Sequence, residues 1–375
     1  MGKSLEQYFA VTAPGFEGVC AAELRAQAIE VQAILRGGVA FAGQLRDLYL
    51  ANLHLRSASR VLVRLGGMTV RDFPTLFKRL VRLPWGRFVR PGSACDIRVT
   101  CHGSRLSHSG RIAETCREAI GKALGDPVAR IASEQKVFIR IVNDHCQVSM
   151  DSSGDLLHRR GYRVASVAAP LRETLAAACL LTLGYDGSRP LIDAMTGSGT
   201  FAIEAALIAL KRAPGAKRSF AFMRWPKFRP GLWQQLVQEA QREESADLVS
   251  PIIAIDNNVK AIAAAEQNLE VAGLADIVRL NYGSIQQLRA EQPTGLLICN
   301  PPYGERLGRT AALQTLYREI GRVYSNTFAA WQGALVCPDA ALARTTGIAF
   351  KPRVRFSNGG ISAALLEKVP ETQKS

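Results

Sequence analysis

The sequence predicts an α/β protein: a doubly wound, mostly parallel sheet in the C-terminal half, preceded by small α+β modules. Three observations carry this. From about residue 170, short apolar strands alternate regularly with amphipathic helices. Before that point strands and helices interleave without a long parallel run. Between the two rhythms lies a polar, Gly-containing stretch, Asp151-Ser-Ser-Gly-Asp and then Leu157-His-Arg-Arg-Gly-Tyr-Arg163, which marks a domain boundary.

In the first half, Ala40 to Phe41 ends a short strand and Arg46 to Ser57 reads as a helix. Arg60-Val-Leu-Val-Arg-Leu alternates like a strand and is expected to stop at Gly66-Gly67. Asp72 is placed to cap a helix through Leu83, ended by Pro84. Cys95 to Cys101 alternates again, and Ile112 to Leu124 is helical up to Gly125. Lys136 to Val142 and His145 to Asp151 form a hairpin around Asn143-Asp144. In the second half, helices are predicted over 171–183, 201–210 and 258–271, and strands at 191–193, 251–256, 277–281, 295–300 and 333–337. Arg353 to Phe356 and Ile361 to Val369 flank Ser357-Asn-Gly-Gly, so the sheet should end in an antiparallel hairpin.

With 375 residues, 47% hydrophobic and 21% charged, the chain should pack as two or three domains. No apolar stretch reaches membrane-span length, and charges in Met1 to Tyr8 argue against a signal peptide, so a cytoplasmic location is expected and no membrane partner. Eight cysteines and five histidines include no Cys-x-x-Cys pair; the loose group Cys95, Cys101, His102 and His108 matches no zinc spacing, and no metal is predicted. Net charge is +15, divided as +10 over residues 1–169 and +5 beyond, which favours a polyanionic partner.

Three motifs carry chemistry. Asp193-Ala-Met-Thr-Gly-Ser-Gly-Thr200 joins a strand to a helix, where glycines let the backbone turn tightly against a ligand. It lacks the Lys of a triphosphate-binding loop. Asp256 ends the next strand, placed to accept ribose hydroxyls, or else to cap the helix that follows, although Asn257 and Asn258 are better placed to cap. It lies 63 residues beyond Asp193, so an insertion must intervene, and Pro214 to Gln241 fits. Last comes Asn300-Pro301-Pro302-Tyr303 at the end of a buried strand. The prolines fix the backbone and remove donors, so the Asn300 side-chain oxygen and the Pro301 carbonyl can converge as acceptors on both hydrogens of an exocyclic base amine. Tyr303 offers a face on which the base can stack.

Those motifs resemble the amino-methyltransferases, and more closely the bacterial RlmL-like ribosomal RNA guanine-N2 methyltransferase family, along nearly the whole chain. Pro14-Gly-Phe-Glu resembles that family's N-terminal module, Asp151-Ser-Ser-Gly with His158 to Arg163 its junction, and Pro170 to Ala177 a helix flanking the cofactor. Asn300 to Leu307 is especially characteristic. The resemblance implies a class I, Rossmann-like, seven-stranded methyltransferase sheet with an N-terminal ferredoxin-like and THUMP RNA-binding region. It divides the chain into 1–45 (ferredoxin-like), 45–152 (THUMP-like), a linker over 153–169, and a methyltransferase domain over 170–375. It implies S-adenosyl-L-methionine as cofactor, held by Thr174, Asp193, Met195, Thr196, Gly197, Ser198, Gly199, Thr200, Asp256, Asn257, Ser284 and Asn300. At Ser284 many relatives carry Asp, a departure. Some relatives carry a second methyltransferase half; a single activity is expected here.

The expected reaction is methylation of guanine N2 in large-subunit ribosomal RNA, with Asn300, Pro301, Pro302 and Tyr303 as the catalytic set and the target base flipped out. Alternatives are a transfer-RNA guanine-N2 or a DNA adenine-N6 methyltransferase, and a non-catalytic RNA-binding assembly factor. Arg159, Arg160, Arg224, Trp225 and Lys227 are the candidate RNA contacts, the last three from an insertion that interleaves bases and aromatics. The same aromatics could equally pack the insertion over the sheet, and the two roles are compatible.

Overall fold

The architecture is that of a computed structural model that describes residues 5–128, 135–167, 170–302 and 310–370. Two units emerge, and they are not contiguous in sequence: one gathers residues up to Thr12, Cys20–Leu157 and Lys217–Glu239, the other Ala13–Val19, His158–Ala216 and the chain from Ala240 onward. The break after Leu157 falls in the polar stretch noted above. The insertion segment Lys217–Glu239, however, folds with the first unit rather than with the residues that flank it.

The first unit is built on β1 (Glu6–Thr12), α1 (Glu17–Ala26), β2 (Glu30–Leu35), β3 (Gly38–Gly43), α2 (Leu45–His54), β4 (Ala58–Thr69), α3 (Phe73–Val81), β5 (Asp96–His102), α4 (Ser109–Leu124), β6 (Lys136–Val142) and β7 (His145–Asp151). Its strands form one seven-stranded sheet in the order β2-β3-β1-β4-β7-β6-β5. Neighbours are antiparallel except for β5 and β6. Asn143 and Asp144 have φ of 49° and 63°, the pair of left-handed residues that a tight hairpin turn needs between β6 and β7. Asp72 accepts a 2.7 Å bond from the Thr75 N–H and caps α3; Gly125, at φ 75°, ends α4. One expectation fails here. β4 does not stop at Gly66-Gly67 but runs through them, pairing both with β7 across a register shift after Arg64. Glycine absorbs a bulge there instead of breaking the strand.

The second unit holds α5 (Glu173–Thr182), β8 (Leu191–Asp193), α6 (Thr200–Ala209), then, beyond α7 (Pro230–Arg242), β9 (Ile252–Asp256), α8 (Val259–Ala272), β10 (Arg279–Tyr282), β11 (Leu296–Cys299), α9 (Thr310–Arg322), β12 (Gln332–Cys337), α10 (Ala340–Thr345), β13 (Phe350–Asn358) and β14 (Ile361–Lys368). The strand order is β10-β9-β8-β11-β12-β14-β13. The first five run parallel; β14 is antiparallel to β12 and to β13, as the Ser357-Asn-Gly-Gly turn requires. Strand alternation feeds two cores. Leu296 and Ile298 face a cluster with α5 and α6, while Leu297 and Cys299 face another with Tyr317 and Tyr324. Chain order reverses between β8 and β11, and in such sheets ligands bind at that switch point, beyond the carboxyl ends of the strands.

Candidate active site

Asp193, Asp256 and Asn300 all stand at or just past the carboxyl ends of adjacent parallel strands, because β8 pairs with β9 on one side and β11 on the other. The loop after β8 is tied to both neighbours: the Ala194 N–H donates to the Ile298 carbonyl at 2.9 Å and the Thr196 N–H to the Ile255 carbonyl at 3.0 Å. Gly197 and Gly199 have φ of 56° and 85°, a region L side chains enter only with strain. A Cβ on Gly199 would in addition stand 3.3 Å from Ile203 and 3.4 Å from Ala265. The two glycines are thus what lets the loop enter α6 so abruptly.

A cavity of about 510 Å³ opens over these strand ends. Met195, Thr196, Gly197, Ser198, Thr200, Asp256, Asn257, Ser284, Asn300, Pro301 and Pro302 line it, together with Ile285 and Gln286. Asp256 is half-buried. Its carboxylate accepts from the Gly197 N–H and the Asn258 N–H, both at 2.9 Å, so it braces the loop and helps start α8. Each oxygen keeps a further lone pair, so the capping and ligand readings of Asp256 are compatible. Asn258 is the N-cap itself, accepting from the Lys260 N–H. Asn300 lines the cavity, and its Oδ1 is buried without a hydrogen-bond partner among the described residues. A buried amide oxygen left unbonded costs about 1–3 kcal/mol, a cost that an incoming donor removes.

Three of the expected cofactor residues lie elsewhere. Asp193 is 1% exposed and does not line the cavity. Its Oδ2 accepts from Thr196 Oγ1 at 2.6 Å and the Ala202 N–H at 3.3 Å, while Oδ1 has no partner among the described residues. Burial pushes its pKa up to about 7; the Thr196 and Ala202 bonds oppose the rise and the charge of Asp256 adds to it. It anchors the loop and the first turn of α6 from beneath. Thr174 is buried in α5, and Gly199 turns the chain; neither touches the cavity. Tyr303 and the rest of the Asn300-to-Leu307 match after Pro302 lie outside the described residues.

Two residues outside the expected cofactor set hold this loop. Arg163 donates to Glu173 Oε1 (2.8 Å), Ser198 Oγ (2.9 Å), Thr200 Oγ1 (2.9 Å) and the Leu171 carbonyl (3.0 Å), clamping the loop to the start of α5. Asn268, fully buried on α8, accepts from the Val164 and Ala165 N–H groups and donates to the Ala165 and Ser198 carbonyls. A signal for it existed. Ala261, Ala264, Ala265, Asn268 and Leu269 follow the helical stripe of buried positions, and a lone Asn there must satisfy its polar atoms inside.

The predicted RNA contacts divide. Arg159, Arg224 and Lys227 are exposed. Arg160 is not: its side chain is 3% exposed and ion-paired with Glu204 at 3.4 Å. Trp225 is 5% exposed. Its ring meets Phe88 edge-on at 4.8 Å and its Nε1–H donates to Gln135 Oε1 at 3.0 Å. Phe220, Phe222 and Trp233 are buried as well, around Tyr49, so the insertion's aromatics form a core that leaves little ring surface to solvent. Among the described residues no three His, Cys, Asp or Glu side chains gather where they could share a metal ion. No described helix is long and apolar enough to cross a membrane.

Comparison with known proteins assigns the chain to a family. The pattern of the RMKL-like methyltransferase domain matches residues 160–363, and that of the RlmL ferredoxin-like domain matches residues 7–62. The chain is 36% identical over 370 residues, 96% of each chain, to the protein of Synechocystis sp. named "Putative RNA methyltransferase slr0064". It is 35% identical over 378 residues to the ribosomal RNA large subunit methyltransferase K/L of Syntrophotalea carbinolica. That match takes in 96% of this chain but 53% of the relative, so the chain spans about half the length of the K/L proteins. The solved structure of SMU.472 with SAH bound superposes over the whole of both chains with a TM-score of 0.89 and 31% identity. The chain belongs to the RMKL-like family of S-adenosylmethionine-dependent methyltransferases.

Proposed function

We propose that this protein methylates the exocyclic N2 of a guanine in large-subunit ribosomal RNA. The observation that carries the reading is the buried, unpartnered Oδ1 of Asn300 in the wall of the cavity that also holds Asp256 and the glycine loop. A cavity of about 510 Å³ is within the range that encloses a nucleoside-sized ligand. Met195 to Ser198, Thr200, Asp256, Asn257 and Ser284 would hold the donor, with the Asp256 carboxylate on the ribose hydroxyls. Asp193, Thr174 and Gly199 would act on it only through the loop and α5. When bound, S-adenosylmethionine supplies a methyl group on a positively charged sulfur.

The remaining work belongs to the chain. A base amine is a weak nucleophile because its lone pair is delocalised into the ring. Asn300 Oδ1 and the Pro301 carbonyl would accept its two hydrogens, favouring the pyramidal form and easing loss of the proton as the N–C bond forms. These acceptors gain strength as positive charge develops at nitrogen, so they stabilise the transition state more than bound substrate. Tyr303, three residues after Asn300, would stack on the flipped base.

An RNA substrate is supported by the names of the curated relatives and by the +10 charge of residues 1–169. Guanine rests on the likeness of Asn300 to Leu307 to the RlmL-like family. The test is incubation with methyl-labelled cofactor and ribosomal RNA, digestion and separation of nucleosides. Label is expected in N2-methylguanosine. Asn300→Ala should lower turnover by about a hundredfold or more with cofactor affinity nearly unchanged. Label in N6-methyladenosine, in transfer RNA alone or in DNA alone would overturn the substrate, and near-normal turnover in the variant would overturn the mechanism.

A further inference from the structure

The first unit contains a second cavity, of about 540 Å³, where the insertion folds against α2 and the segment following α3. Four cations line it: Arg46, Arg87, Lys227 and Arg229. Arg87 is paired with Glu6, whose carboxylate also lines the cavity. Arg46 reaches Glu239 only at 3.9 Å, with its side chain 53% exposed, a weak surface pair. Lys227 and Arg229 are exposed, and among the described residues neither side chain has an acidic partner. Behind these cations the cavity is apolar. Phe88 and Trp225 are 3% and 5% exposed and locked edge to face, so they back the cleft as a fixed surface.

The insertion therefore presents its charges to solvent while its rings hold it in place. Tyr49 stacks on Phe222 at 4.4 Å, and the Arg229 N–H donates to the Tyr49 hydroxyl at 3.2 Å, which ties the backbone beneath that guanidinium to α2. An array of cations around an apolar recess, with its one carboxylate already paired, is complementary to a ligand that alternates anionic and apolar parts. Arg46 stands in the first turn of α2, where a positive side chain opposes the helix dipole and a bound anion would relieve it.

We propose that this cleft binds a nucleotide of single-stranded RNA, with Lys227, Arg229 and Arg46 on the phosphates and the ribose or base against the apolar backing. The proposal rests on the reading that the substrate is RNA. It makes the cleft a substrate-gripping site in the first unit, separate from the cavity over the strand ends of the second. Base pairs of a regular duplex could not enter a recess of this volume, whereas an unpaired nucleotide can.

The test uses the full chain and a short single-stranded RNA oligonucleotide, with binding followed by fluorescence anisotropy across a range of salt. Lys227→Gln combined with Arg229→Gln should lower affinity about tenfold at low salt. The log–log salt slope should fall by about 1.4, two phosphate contacts at about 0.7 each on single strands. Affinity for S-adenosylhomocysteine should be unchanged. A charge-matched control, Arg25→Gln with Arg82→Gln, both exposed and outside the cleft, should keep slope and affinity. An unchanged slope in the cleft variant, or an equal loss in the control, would overturn the proposal. Polyglutamate of matched charge competing as well as the RNA would also overturn it, by assigning the cleft to an acidic polypeptide. Because wild type is assayed for methylation in parallel, a wild type active on ribosomal RNA with a normal cleft variant removes only this inference. A wild type with no activity on RNA removes the functional reading itself.

Discussion

Asn268→Ala tests whether the cofactor loop is held from behind. The side chain is fully buried and bonds four backbone groups: the Val164 and Ala165 N–H at 2.9 and 3.0 Å, and the Ala165 and Ser198 carbonyls at 2.8 and 2.9 Å. Alanine leaves all four without that partner, but not all equally. Val164 is 62% exposed, so its N–H can turn to water, whereas Ser198 is 2% exposed and its carbonyl cannot. At about 1–3 kcal/mol for a stranded buried group, one full loss and a share of two others give a destabilisation of about 2–4 kcal/mol. For a unit of this size that is a fall in Tm of roughly 5–15 °C. The loop that loses its anchor carries the Ser198 and Gly197 walls of the cavity, so affinity for S-adenosylhomocysteine should drop about tenfold. Asn268→Asp keeps the oxygen that accepts both N–H bonds but turns a carboxylate on two carbonyls, and should be at least as damaging. The assays are a thermal melt and titration calorimetry on the full chain. A fall of under about 1 °C with unchanged affinity in both variants would refute the claim that this residue positions the loop.

Asp193→Asn should flatten the pH dependence of stability. A carboxyl raised to about 7 by burial favours folding fully below its unfolded pKa and loses that contribution as pH climbs through the folded one. The wild type should therefore lose stability relative to the variant between about pH 4 and 7, measured by chemical unfolding at a series of pH values; parallel profiles would refute the assignment. Trp225→Ala should cost about 3–5 kcal/mol in stability, because the ring is 5% exposed among Phe88 and Phe222. A variant that melts like wild type would refute the claim that the ring is part of the core.

What the sequence by itself determined was most of what local period and local turn chemistry set; Gly66 and Gly67, read as a stop, were an exception, because pairing with β7 carries the strand through them. Strand, glycine loop and helix around Asp193 to Leu210, the stop of α4 at Gly125, the Asn143-Asp144 turn and the closing hairpin were all legible, because φ/ψ preferences and apolar spacing act within a few residues. The cavity was partly legible for a related reason: in a parallel sheet the carboxyl ends of consecutive strands share one edge, so Asp256 and Asn300 had to meet. The tertiary structure alone decided which side chains face that edge and which lie beneath it. Asp193 reads as a ligand in sequence and is a buried brace, while Arg160 reads as an RNA contact and is buried against Glu204. Trp225 and its neighbours read equally as a stacking surface or a core, and only their meeting with Tyr49 and Phe88, more than a hundred residues earlier, decided for the core. Arg163 reaches Ser198 and Thr200, 35 and 37 residues away, and Asn268 reaches partners 70 to 104 residues away, distances in sequence over which no local preference operates. Burial is a property of such long-range meetings, and so the residues that touch a ligand become separable from those that hold them only once the chain has closed on itself.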